Sequence, residues 1–120
     1  MNEQWRAANS YRFGEWEFVP ALGEVSWAGE VVARLGETES ETLLLLIAAH
    51  PLPASVRAVV RAMAKRGAYW HPDTVKVIIS RLRAKLGAAL IRTTGRGYVF
   101  VPEVAMDGPR GATVAGLPGG

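Results

Sequence analysis

The chain reads as a single α+β domain: an N-terminal four-stranded antiparallel sheet, three helices and a C-terminal β-hairpin. Three observations predict this. Residues 11–35 are short aromatic and β-branched runs punctuated by glycine and proline, the pattern of short strands. Residues 38–86 change to helical apolar spacing, interrupted at His50-Pro51-Leu52-Pro53 and at Gly67. After Gly87, two strand-like runs bracket Gly95-Arg96-Gly97. With 120 residues, 49% of them hydrophobic, the chain can bury one real core.

The expected strands are Tyr11-Arg12-Phe13, Glu15-Trp16-Glu17-Phe18-Val19, Glu24-Val25-Ser26-Trp27 and Val31-Val32-Ala33-Arg34-Leu35. Gly14, Pro20, Gly23 and Ala28-Gly29-Glu30 turn the chain between them. Phe13, Trp16, Phe18, Val25 and Trp27 are assigned to the buried face. Exposed aromatics can also stack nucleic-acid bases. This segment is acidic, however, and an acidic surface repels a phosphate backbone, so core is the preferred reading.

Thr38-Glu39-Ser40-Glu41 has the form of a capping box with Thr38 as N-cap. The helix it opens extends to about Ala49 and is apolar nearly all round through Leu43-Leu44-Leu45-Leu46-Ile47, as a central core helix should be. Glu39 and Glu41 suit its positive end and need no other role. The prolines end it. Ser55 caps a second helix over about residues 56–66, with Gly67 at C′. Val56, Val59, Val60, Met63 and Ala64 form its apolar side. Arg57, Arg61 and Lys65 lie along the other, as a solvated face or a phosphate-facing ridge.

The third helix is Asp73-Thr74-Val75-Lys76-Val77-Ile78-Ile79-Ser80-Arg81-Leu82-Arg83-Ala84-Lys85-Leu86, capped by Asp73 or His71 and ended by Gly87. Val75, Ile78, Ile79, Leu82 and Leu86 make its apolar stripe. Thr74, Val77, Ser80, Arg81 and Ala84 fall opposite, flanked by Lys76, Arg83 and Lys85. Cations, small hydroxyls and a methyl-bearing residue on one face suit a helix lying in a DNA major groove. An ordinary amphipathic helix with a solvated basic face has the same spacing, and the rest of the chain decides between them. The hairpin of Leu90-Ile91-Arg92-Thr93-Thr94 and Tyr98-Val99-Phe100-Val101 places Arg96 on a glycine-rich tip. Such an arginine can enter a minor groove.

The formal net charge is only +3, but it is unevenly placed. Residues 1–50 carry three arginines against eight glutamates, whereas residues 51–102 carry ten Lys and Arg against Asp73 alone. That contrast within one small domain points to a polyanion on one side. The absence of cysteine excludes disulfides and thiolate metal sites and fits a reducing cytosol. No apolar run reaches the roughly 18 residues a membrane span needs. The N-terminus lacks the apolar stretch of a secretory signal. Residues 1–10 read as a flexible leader, with Trp5 as its one docking candidate. Residues 11–102 read as the domain, and residues 103–120 as a flexible Gly/Pro-rich tail.

Two segments carry a resemblance. Residues 75–87, V-K-V-I-I-S-R-L-R-A-K-L-G, and residues 91–100, I-R-T-T-G-R-G-Y-V-F, resemble the recognition helix and wing of OmpR/PhoB-type winged helix-turn-helix effector domains. Residues 38–49 resemble that family's first helix, and the resemblance spans about residues 11–101. It implies a winged-helix fold and sequence-specific binding of double-stranded DNA in transcription regulation. By matching position, Thr74, Lys76, Val77 and Arg81 are implied to face bases. Ser80, Arg83 and Thr93 are implied to face phosphates; with no arginine before the first wing glycine, Arg96 or Arg92 must substitute there, Arg96 being assigned to the minor groove and Arg92 to a phosphate. Three features depart from the family pattern. The wing is one residue shorter, with Thr94 where an arginine is common. Lys76 stands where many members carry an acid, and residues 52–67 are an unusual second helix. The family usually carries an N-terminal receiver domain. Only ten residues precede the first strand here, so a lone bacterial or phage effector domain, or an excised part of a longer regulator, is expected.

Three functional readings fit a chain of this kind to different degrees. The first is a cytoplasmic, nucleoid-associated DNA-binding regulator, which for tight binding would act as a homodimer on repeated half-sites. The second is a winged-helix adaptor on RNA polymerase or another regulator, with weak or no DNA binding. The third, an enzyme, is rejected. His50 and His71 both precede prolines in loops, no glycine-rich phosphate loop or paired acids occur, and no catalytic, cofactor or metal site is expected.

Overall fold

The computed structural model describes residues 10–102. The expectations for the leader before Ser10, including Trp5, and for the tail from residue 103 lie outside the described residues. The order is β1 (Tyr11–Phe13), β2 (Trp16–Val19), β3 (Glu24–Trp27), β4 (Glu30–Arg34), α1 (Glu37–Ala49), α2 (Val56–Ala64), α3 (Pro72–Leu86), a short 3₁₀ turn (Ala88–Leu90), β5 (Ile91–Thr94) and β6 (Gly97–Phe100). This is the winged helix-turn-helix arrangement, with a four-stranded antiparallel sheet in sequential order before the helices and a two-stranded wing after them.

Strand alternation puts one face of the sheet onto the helices. Trp16, Phe18 and Val25 are fully buried there, and Phe13 and Trp27 are half-buried beside them. The core reading of these aromatics therefore holds. Phe13 stacks on Trp16 and meets Phe100 of the wing edge-on at 4.9 Å between ring centres, a favoured aromatic geometry. One contiguous core continues through Leu43 and Leu46 of α1, Val59 and Met63 of α2, the whole predicted stripe of α3, and Leu90, Ile91 and Phe100. Among the described residues no helix is long and apolar enough to cross a membrane.

Helix α1 departs from expectation at its start. Its N-cap is Gly36, and Thr38 lies inside the helix. The Glu39 side chain accepts from the Gly36 N–H at 2.8 Å, so half of a capping box exists, two residues earlier than the Thr38 reading placed it. Glycine offers no side chain by which a cap is recognised, which is why Thr38 looked the better candidate. Glu39 is also buried, and its partner is not only the helix dipole: Lys85 Nζ lies 2.7 Å from Oε1. Glu41 pairs with Arg66 at 2.7 Å, joining α1 to the end of α2.

Candidate nucleic-acid interface

Helix α3 is held at both ends. His71 is the N-cap, its Nδ1 accepting from the Asp73 N–H at 3.0 Å, and Pro72 occupies the first turn, where its missing N–H costs nothing. At the other end the Gly87 N–H donates to the Arg83 carbonyl at 2.8 Å. Lys85 donates to Glu39 and, at 2.9 Å, to the Arg34 carbonyl, so the C-terminal turn is tied to the ends of β4 and α1. Burial raises the energy of the Glu39 carboxylate, but the Lys85 and Gly36 hydrogen bonds outweigh it and hold its pKa below the usual carboxylate value.

With the apolar stripe buried, the opposite face of α3 is open. Lys76, Val77, Ser80 and Arg81 are exposed and Thr74 is half-buried. Of the four residues expected to face bases, Thr74, Val77 and Arg81 share this face by helical spacing, and Lys76 is exposed on its flank. Val77 is 48% exposed, an apolar side chain with no core to fill. Lys76 Nζ lies 4.0 Å from Asp73.

The phosphate-facing set does not stay together. Arg83 is half-buried and turned to the wing. Its Nε and Nη2 donate to the Ile91 carbonyl at 3.0 and 2.7 Å, and Nη2 also donates to Thr93 Oγ1 at 2.7 Å. Its guanidinium carbon lies 5.6 Å from the centre of the Tyr98 ring. Thr93 therefore faces α3, while Arg92, one step along the pleat, projects from the other face of the hairpin. Arg96 is exposed on a two-residue tip. Thr94 Oγ1 pins that tip, donating to the Gly97 carbonyl and accepting from the Arg96 N–H.

One contact was missed by sequence reading. The Ala54 N–H donates to the Tyr98 carbonyl and the Tyr98 N–H to the Ala54 carbonyl, at 2.8 and 2.9 Å. The chain entering α2 is thereby bonded to β6. Ser55 caps α2 as expected, accepting from the Ala58 N–H. Between this N-terminus and the wing lies a cleft of about 390 Å³ lined by Ser55, Arg57, Thr93, Arg96 and Tyr98 among others.

The charges sort in the same way. Arg12, Arg34, Arg66, Lys76 and Lys85 each lie within 4.0 Å of a carboxylate. Among the described residues Arg57, Arg61, Lys65, Arg81, Arg83, Arg92 and Arg96 form no such pair, and all belong to α2 and the turn after it, to α3 or to the wing; of these, Arg83 is spent on the wing backbone and Thr93. No group of three or more His, Asp or Glu able to hold a metal occurs among the described residues.

Solved structures share this architecture. The DNA-binding domain of RstA from Klebsiella pneumoniae, solved in complex with the RstA box, is 29% identical with a TM-score of 0.64, over 78% of this chain and 97% of that one. The DNA-binding domain of CpxR from E. coli is 26% identical with a TM-score of 0.62, over 77% and 95%. The C-terminal domain of the nisin resistance regulator NsrR, 22% identical with a TM-score of 0.65 over 74% and 93%, shares the fold. The resemblance to OmpR/PhoB-type effector domains is borne out by these structures. No curated protein sequence matches. The profile of a repressor family, described as penicillinase repressor, matches residues 35–117. That match starts at the end of β4, so it takes in the helices and wing and leaves the sheet to the structural likeness. The chain belongs to the penicillinase repressor family and carries, in front of the matched helices, the four-stranded sheet of an OmpR/PhoB-type effector domain.

Proposed function

We propose that this protein is a sequence-specific double-stranded DNA-binding transcription regulator acting in the cytoplasm at the nucleoid, with α3 in the major groove and the wing at the adjacent minor groove. The observation that carries it is that, among the described residues, every cation without a carboxylate partner lies on the helix-turn-helix and wing, and six of these seven, all but Arg83, are also not engaged by the wing. Cations retained without internal partners are what a phosphate backbone neutralises. Arg81 reads guanine, for which its planar fork is suited. Val77 meets a thymine methyl, and Thr74 and Lys76 contact neighbouring base edges. Ser80, Thr93 and Arg92 contact phosphates, and Arg96 enters the minor groove. Thr93 keeps its hydroxyl proton for a phosphate, since its oxygen already accepts from Arg83.

Replacing Arg81 with Ala is expected to cost about 1–3 kcal/mol on the preferred site and to narrow the gap between site and random DNA. Equilibrium binding to both duplexes measures this. A variant that binds both as the parent does removes Arg81 from the reading of bases.

A second reading rests on the acidic end of the molecule. Leu22 is 65% exposed beside a groove of about 580 Å³ that Tyr11, Leu44, Glu37 and Glu41 also line. A winged-helix adaptor would use such a groove for RNA polymerase or another regulator. It predicts little or no DNA binding at about 0.1 M salt, where specific binding through several phosphates still persists.

A further inference from the structure

We infer that Arg83 is a positioning residue, a strut that fixes the wing to α3 so that both meet DNA as one rigid unit. This rests on the DNA-binding reading above and differs from the phosphate contact that the resemblance implied for Arg83. Its guanidinium spends two N–H groups on the Ile91 carbonyl and one of them again on Thr93, and it lies over Tyr98. Ile91 and Thr93 are in β5, Tyr98 in β6, and Thr93 and Tyr98 are register partners. One side chain thus holds both strands of the hairpin at their middle. The fork geometry of arginine allows this, and the point charge of lysine does not. Tyr98 is bonded through its backbone to Ala54, next to the cap of α2. The wing is therefore braced to α3 by Arg83 and to α2 by Ala54, and the placement of Arg96 follows from both braces.

The brace is separable from folding, because Leu90, Ile91 and Phe100 anchor the wing in the core independently. Two variants discriminate the roles. Arg83→Met removes charge and fork; Arg83→Lys keeps the charge and loses the fork. In the free protein, amide hydrogen exchange in β5 and β6 is expected to quicken about tenfold in both variants, the scale of one lost charge-assisted hydrogen bond. This readout needs no DNA, so it stands even if DNA binding fails. On a bound duplex, Arg96→Ala is expected to weaken binding several-fold in the parent and much less in either Arg83 variant, because an unbraced wing no longer presents Arg96. The proposal is overturned if wing exchange is unchanged, or if Arg83→Lys binds as the parent while Arg83→Met flattens the salt dependence by about 0.9 in log–log slope. That second pattern would make Arg83 a plain phosphate contact.

Discussion

Arg81 and Arg83 are identical residues two positions apart with opposite surroundings. Helical spacing places Arg81 on the open face, so its exposure was readable. Arg83 stands on the flank, where spacing alone does not distinguish solvent from a neighbouring strand. Glu39 shows the same limit in another form: its partner Lys85 is 46 residues away, and only the folded chain brings them together. The depressed pKa of Glu39 makes a testable link to stability. Its carboxylate contribution is complete above the ordinary carboxylate range and is lost as pH falls through the lowered folded value. Glu39→Gln is expected to cost about 1.5–3 kcal/mol near neutrality, toward the low end because the Lys85 side chain is still 38% exposed. The gap to the parent should shrink in acid. Denaturant unfolding at about pH 7 and about pH 3 gives both numbers, and a gap independent of pH would assign the loss to packing.

At the scale of elements, the wing depends on a glycine more than on its tip. Gly97 has φ +137, and a Cβ there would sit 2.3 Å from the Ala54 carbonyl oxygen. The backbones of β6 and the α2 entry approach this closely because position 97 has no side chain. Gly97→Ala is expected to destabilise the protein by about 2 kcal/mol or more through strain and displacement of that bridge. Gly95→Ala, on the same tip but in open space, should stay within about 0.5 kcal/mol. Thermal melts of the pair check this, and equal losses would remove the bridge as the cause. The elements themselves were legible: β1 and β3 at their bounds, the cap at Ser55, the cap of α3 as one of two candidates, Asp73 or His71, and the ends at Gly67 and Gly87. They were so because glycine, proline and side-chain caps are local signals. The Ala54–Tyr98 bridge was not, since Pro53-Ala54-Ser55 carries no strand pattern of its own. The Gly36 cap was not, since it acts through the Glu39 carboxylate rather than a side chain of its own.

For the whole molecule, the raw contrast between an acidic first half and a basic second half overstates one thing and understates another. Four of the acids, Glu17, Glu24, Glu39 and Glu41, are already paired with Arg12, Arg34, Lys85 and Arg66. The acidic half is thus partly neutralised from within, and the pairs consume cations that would otherwise be counted toward DNA. Among the described residues, six cations remain for direct phosphate neutralisation once Lys76, beside Asp73, and Arg83, spent on the wing, are also set aside. At about 0.9 per phosphate contact, six give a log–log salt slope of about −5 on duplex DNA. Arg57 and Arg96 line one cleft at the α2 N-terminus and the wing, so in the proposed complex Arg57 meets the backbone bordering the minor groove that Arg96 enters, and both neutralise the phosphates of that stretch. The double variant Arg57→Ala/Arg96→Ala should therefore flatten the slope by about 1.8 and weaken binding to site and random DNA alike. Arg12→Ala, which removes a cation already spent on Glu17, should leave the slope as it is. Titrations of the three proteins from about 0.05 to 0.3 M salt measure this. If Arg12→Ala flattens the slope as much as one of the cleft arginines does, the phosphate path does not run along the helix-turn-helix and wing. DNA would then contact the sheet end of the molecule instead.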